Sequence, residues 1–184
     1  GAGISEGIWQ KDNDPYFSWE VVVTPADLLD GYSISLDNEP DFTVDLTDTH
    51  YQYGEDAVTS GKHIFYVLPS VRGGAWDNTE RLEYNIWVDS AFPVVSQVQP
   101  ASGQIITDNM TPITCQIVDT ESGLDINITT LTLNNSSISF NYDAAKQMLT
   151  YTPSTPLIEG KNSVMLTAYD LVGNNLTKGW DFIV

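Results

Sequence analysis

The chain has 184 residues, 41% hydrophobic and 11% aromatic, which suffices for packed cores and argues against a disordered polymer. Its 25 acidic residues against 7 basic ones give a formal net charge of -18, so nucleic acid is an unsuitable partner, since such binding rests on basic groups neutralising phosphates. A single cysteine, Cys115, excludes an intrachain disulfide, and no apolar run approaches the roughly 18 residues of a membrane span.

The chain opens on Gly1-Ala2-Gly3 with no signal peptide, which reads as a cut inside a longer protein. Beyond it the recurring pattern is period-2 alternation in short runs bounded by Gly, Pro, Asn and Asp, the signature of half-buried sandwich strands. Phe17, Trp19, Val21 and Val23 alternate with Ser18, Glu20 and Val22 and predict a strand. Tyr32, Ile34 and Leu36 predict the next, and His63, Phe65 and Val67 share the inward face of another. Leu82, Tyr84, Ile86 and Val88 alternate with Glu83, Asn85, Trp87 and Asp89 in the strand that closes the module. The proline of Asp89-Ser90-Ala91-Phe92-Pro93 suits a stiff junction better than a mid-sheet position. A boundary near residue 91 leaves 17 acidic and 4 basic residues before it, and 8 acidic and 3 basic after it.

The second half repeats the scheme. Val94 to Gln99 reads as an edge strand, Ile113, Cys115 and Ile117 as the inward face of the next, and Leu131 and Leu133 as the start of a third. A polar hairpin leads into Ile138, Phe140 and Tyr142, then Met148 to Thr152. Val164, Leu166 and Ala168 alternate with Met165, Thr167 and Tyr169, and Trp180, Phe182 and Val184 end the chain. Gly61-Lys62-His63 and Gly160-Lys161-Asn162 each precede a strand, a turn and a closing strand, which points to a divergent repeat of about 90 residues. The expected fold is all-β, two tandem immunoglobulin-like or fibronectin III-like sandwiches over residues 1–91 and 92–184.

Three motifs in the second half carry a resemblance. Asp119-Thr120-Glu121-Ser122-Gly123-Leu124-Asp125 resembles a D-x-x-SGID turn, Leu149-Thr150-Tyr151-Thr152-Pro153 an L-x-Y-x-P strand, and Ala168-Tyr169-Asp170-Leu171-Val172-Gly173-Asn174 an A-x-D-x-x-GN closing turn. Together they resemble the Big-type immunoglobulin-like modules of bacterial and archaeal surface proteins. The first half is similar to the same group, or to fibronectin type III modules, through Phe17-Ser18-Trp19, Gly31-Tyr32-Ser33-Ile34-Ser35-Leu36-Asp37 and Trp87-Val88-Asp89, with Gly73-Gly74-Ala75-Trp76 where the Asp-x-x-Gly-Asn turn is expected. The resemblance implies an extracellular spacer, scaffold or adhesive segment, as in surface-layer proteins and adhesins, and no reaction. Its implied partners are other domains of the same protein, neighbouring surface proteins or cell-surface glycans.

No catalytic constellation emerges from the residues. Only His50 and His63 could act as imidazole bases, no G-x-S-x-G elbow occurs, and no Cys/His spacing suits zinc. Cys115 sits in an inward strand phase and reads as an inert buried thiol.

Calcium is the sharpest positive expectation, because hard cations want several oxygen ligands. In such a sandwich the second-to-third strand loop and the last loop lie at the end where the chain enters. These loops hold Asp119, Glu121, Asp125, Asp170 and Asn174, and the entering linker brings Asp89. The competing expectation is that Asp, Asn, Ser and Gly are there as turn formers.

Two surface features complete the reading. Trp87 falls opposite the inward phase of its strand, and Trp9, Tyr51, Tyr53 and Trp76 are expected in or near loops. Trp9, Trp76 and Trp87 could stack on sugar rings, which makes a carbohydrate-binding accessory module the alternative function. Five N-x-Ser/Thr sequons, at Asn109, Asn127, Asn134, Asn135 and Asn175, could carry glycans in an exported protein.

Overall fold

The computed structural model describes residues 5–21 and 28–184, and they contain strands, turns and no α-helix. The chain divides into two compact units, Gly1–Ser90 and Ala91–Val184. No helix among the described residues is long and apolar enough to cross a membrane.

In the first unit the strands are β1 (Trp9–Gln10), β2 (Tyr16–Ser18), β3 (Leu29–Leu36), β4 (His50–Gln52), β5 (Gly61–Val71), β6 (Ala75–Trp76) and β7 (Leu82–Val88). The main sheet runs β1-β7-β5-β3 with β6 also on β5, and β2 pairs with β4 in a second, small sheet. This is a reduced immunoglobulin-like arrangement, with β3-β5-β7 in the places of strands C, F and G and β2-β4 in those of B and E. The inward phase predicted for these strands holds: Tyr32, Phe65, Val67, Ile86 and Val88 are buried against Phe17 and Trp19. The rings of Phe17 and Phe65 stack with centroids 3.9 Å apart, and Trp19 meets Tyr32 edge-on at 5.3 Å. Gly31 stands where a Cβ would come within 2.5 Å of Val44 Cγ1 and 2.8 Å of the Leu46 carbonyl, so the absent side chain lets that loop close on β3.

The strand expected over Phe17 to Val23 is shorter than its alternation. β2 ends at Ser18, Trp19 N still donates to Thr49 O at 3.0 Å, and Val21 is 45% exposed. Its partner β4 has only three residues, so the alternating pattern outruns the ladder that could support it. Val22 and Val23 lie outside the described residues. Of the aromatics expected in or near loops, Trp9, Tyr51 and Trp76 lie in β1, β4 and β6, strands of only two or three residues.

The second unit comprises β8 (Val94–Gln99), β9 (Ile113–Val118), β10 (Thr130–Leu133), β11 (Ser136–Ile138), β12 (Asn141–Asp143), β13 (Met148–Tyr151), β14 (Lys161–Tyr169) and β15 (Asn175–Ile183). Its sheets run β12-β13-β9-β8 and β11-β10-β14-β15. Lettered in chain order, these are D-E-B-A and C′-C-F-G, the strand distribution of an immunoglobulin-like sandwich. Ile113, Cys115, Ile117 and Leu149 of one sheet meet Leu131, Val164, Leu166, Ala168, Trp180 and Phe182 of the other. Every one of these is at most 5% exposed, so alternation in the sequence maps directly onto the core.

One predicted run divides. Ile138, Phe140 and Tyr142 read as one strand, yet β11 ladders with β10 in one sheet while β12 ladders with β13 in the other. The chain changes sheets at Ser139-Phe140, and all three apolar residues pack on the core from successive segments. Alternation records which side faces the core, and both sheets of a sandwich share that core.

Candidate functional site

The acidic residues of the second unit sit on two turns that the fold brings side by side. Asp125 N donates to Tyr169 O at 2.8 Å, Leu171 N donates to Gly123 O at 2.8 Å, and Leu124 and Asp170 form an isolated antiparallel bridge. The turn after β9 and the turn between β14 and β15 are thus one hydrogen-bonded pair. Within that pair most side chains have structural work. Asp170, 1% exposed, accepts from Val172 N (3.0 Å) and Asn174 N (2.8 Å) through Oδ1 and from Asn174 Nδ2 (2.7 Å) through Oδ2. Asp125 Oδ1 accepts from Asn127 N at 3.1 Å, and Asp119 Oδ1 accepts from Gly123 N at 2.7 Å. These are the self-bonding Asx turns that the turn-former expectation describes.

Asp119 and Glu121 differ from the others in facing each other. One carboxylate oxygen of each comes within 4.8 Å of the other, and both residues are half-buried. Glu121 Oε2 accepts from the Thr120 hydroxyl at 2.6 Å. Hard oxygens at this spacing on a half-buried surface have the chemistry of a divalent-cation site, though the pair supplies fewer oxygens than calcium takes. Asp89 belongs to the first unit, directly after β7; its backbone N–H donates to Gln10 O at 2.8 Å and its side chain is buried.

The aromatic surface lies on the first unit. Trp9 and Trp87 are direct neighbours across the parallel β1-β7 ladder, with ring centroids 5.6 Å apart and planes inclined at 56°. Lys62, paired with Trp87 across β5-β7, places its ammonium 4.0 Å from the Trp87 ring centroid and 5.9 Å from that of Trp9. Trp76 is elsewhere: it pairs with Ser70, eight residues from Lys62 along β5 or roughly 26 Å at strand rise, and its ring meets Phe42 at 5.8 Å. The expected sugar platform therefore reduces to two tilted indoles with a cation over them. Sequence reasoning passed over Lys62; its register opposite Trp87 depends on strand pairing, which composition does not carry.

His63 is a positioned residue with no nucleophile among its bonded partners. Its side chain is 10% exposed, with Nδ1 2.7 Å from Asp37 Oδ2 and Nε2 2.8 Å from Thr59 O, while Asp37 Oδ1 accepts from Ile64 N at 3.0 Å. His50 stacks on Tyr16 with centroids 5.9 Å apart. Cys115 is fully buried, and desolvation pushes its thiol up to about 12 from an ordinary value of 9.0. At that value the nucleophilic thiolate is scarce at neutral pH.

The five sequons fall into different environments. Asn109 is half-buried, with its carbonyl accepting from Leu157 N at 2.8 Å. Asn127 is exposed, yet the hydroxyl of its Thr129 is spent on Asp125 O (2.9 Å) and Tyr169 N (3.3 Å). Asn175 is exposed at the start of β15, and Asn134 and Asn135 form the turn between β10 and β11.

No family model matches the sequence, and no curated protein matches it. Among solved structures it is similar to the fibronectin(III)-like modules of Clostridium thermocellum CbhA at 14% identity and a TM-score of 0.41, over 100% of this chain and 90% of that one. A protocadherin gammaB7 EC3-6 cis-dimer shares 11% identity at a TM-score of 0.49, over 96% of this chain and 44% of that one. The Bacteroides ovatus mixed-linkage glucan utilization locus SGBP-B, in complex with a mixed-linkage heptasaccharide, shares 15% at 0.34, over 95% and 42%. All three scores lie below 0.5, so the immunoglobulin-like topology rests on the chain's own ladders and cores.

Proposed function

We propose that this chain is a non-catalytic extracellular segment, a spacer or adhesive tandem within a larger surface protein. The observation that carries this reading is how its reactive side chains are used. His63 is held between Asp37 and Thr59, Cys115 lies in the core with its thiol pushed up, and Asp125, Asp170 and Asn174 tie turns together. Each unit closes a hydrophobic core of its own, around Phe65 in the first and Leu166 in the second, which suits a part that holds position. Asp119 and Glu121 are the residues to which calcium would be added in this role, with Asp89 as the further ligand expected from sequence. Asp170 and Asn174 support the turn in either case.

Thermal unfolding in calcium and in chelator, with Asp89→Asn, Asp119→Asn and Asp170→Asn alongside, tests the calcium part, because a ligand of the folded state raises the midpoint by mass action. A calcium-dependent rise lost in Asp119→Asn supports an ion-stiffened module. No rise in any variant leaves a metal-free spacer. Carbohydrate binding through Trp9 and Trp87 is the second reading; it gains support if soluble polysaccharide quenches tryptophan emission and Trp87→Ala abolishes the quench.

A further inference from the structure

The overlapping sequons Asn134-Asn135-Ser136 and Asn135-Ser136-Ser137 place two candidate acceptor amides side by side, and the fold treats them in opposite ways. Leu133 pairs with Ser136, so Asn134 and Asn135 are the two central residues of a tight hairpin, with φ of 50° and 65°. Positive φ at both positions is the pattern that favours asparagine in such loops. Asn134 turns its amide inward: Nδ2 donates to Asn162 Oδ1 at 3.0 Å, and Oδ1 accepts from Ser163 N at 2.8 Å. Asn162 is fully buried, and its own Nδ2 donates to Ile158 O and Gly160 O. Asn135 lies outside this network. Of the five sequons, Asn135-Ser136-Ser137 is the one with all three residues exposed.

We propose that Asn135 is an attachment site for an N-linked glycan and that Asn134, despite its sequon, is a structural residue left unmodified in the folded protein. The proposal rests on the extracellular reading. The donor is a lipid-linked oligosaccharide diphosphate: a bond forms between Asn135 Nδ2 and the anomeric carbon of the first sugar, the bond from that carbon to phosphate breaks, the amide loses one proton, and the lipid diphosphate leaves. A glycan on Asn135 projects from the hairpin tip into solvent. One on Asn134 has to be accommodated beside Asn162, whose side chain is fully enclosed.

The test is secretion of the full chain from a eukaryotic cell line behind a supplied signal peptide, with occupancy at each asparagine read by mass spectrometry after enzymatic deglycosylation in heavy-oxygen water. Asn135 is expected to be occupied and Asn134 empty. Ser137→Ala abolishes the Asn135 sequon alone, so it removes the hairpin glycan while keeping both positive-φ asparagines and without lowering the unfolding midpoint, whereas Asn134→Gly, which tolerates positive φ and keeps the Asn135 sequon, lowers the midpoint and retains the glycan. An occupied Asn134, an empty Asn135, or an unchanged midpoint in Asn134→Gly overturns the proposal. Since export is supplied, failure speaks to the asparagines alone; the extracellular reading is checked separately, by protease sensitivity of the native protein on intact cells of its source.

Discussion

Lys62 and Trp87 face each other across β5 and β7 with the ammonium 4.0 Å from the ring centroid. The lysine is exposed, so the attraction is partly screened, and the cation–π contact is worth about 0.5–1 kcal/mol. Lys62→Met keeps most of the apolar stem and removes the charge. The expected result is a loss of that size in denaturant unfolding of the first unit, with a change in tryptophan emission from Trp87. An unchanged stability and spectrum shows that the lysine swings free of the indole in solution.

Asp170 carries three N–H donors on one buried carboxylate, two of them from Asn174. Asp170→Ala leaves those donors facing an empty turn, and hydrogen bonds to a charged group are worth about 1.5–3 kcal/mol each before relaxation. A loss of about 3 kcal/mol in the second unit is expected, allowing for water reaching part of the turn. The loss should be the same in calcium and in chelator, because the carboxylate's bonds are internal. A penalty confined to calcium-containing buffer makes Asp170 an ion ligand first and a turn residue second.

Asn162 anchors the other end of the same sandwich, joining the Asn134 amide to the carbonyls of Ile158 and Gly160. Replacing it with Ala strands a buried donor and weakens two carbonyls, at an expected cost of about 1–3 kcal/mol. Asn162→Asp retains the shape but removes the donating NH₂ and buries a charge, so it should cost at least as much. Urea unfolding of both variants checks the order; Ala costing more than Asp points to lost volume as the dominant effect.

Most of the second unit's fold was legible because its strands alternate cleanly and every inward residue reaches one shared core, as Ile113, Cys115 and Ile117 do. The first unit was less legible where pairing is short: nothing in Phe17 to Val23 reveals that β4 offers only three partner residues. The acidic turns were located correctly as turns, and Leu124 does bridge Asp170. Sequence could not show which of these turn-bonding side chains also faces a neighbouring carboxylate, as Asp119 faces Glu121, since Asp170 and Asp119 look alike until side-chain directions are known. The same limit hid Asn134, whose sequon says nothing of Asn162 twenty-eight residues on.

Cys115 and Tyr53 set an alkaline limit on stability. Burial raises the Cys115 thiol from 9.0 to about 12 and, as the largest cause, the Tyr53 phenol from 10.0 to about 12. For a group whose folded value is raised, the folded state holds the proton longer, so its contribution is complete below the unfolded value and is lost as pH climbs towards the folded one. For Cys115 the window opens near pH 9.0 and closes near 12, and by pH 10 about 1.4 kcal/mol should be gone from the second unit. Cys115→Ala introduces a cavity that lowers stability at every pH, yet its pH slope between 8 and 10 should be shallower than that of the parent chain. Comparing slopes therefore isolates the thiol from the packing defect. Alkylation should agree: iodoacetamide at pH 8 modifies Cys115 only as fast as the unit opens, and the rate should rise sharply with urea. Prompt labelling of the native protein, or parallel slopes for the two chains, means that the thiol reaches solvent without unfolding.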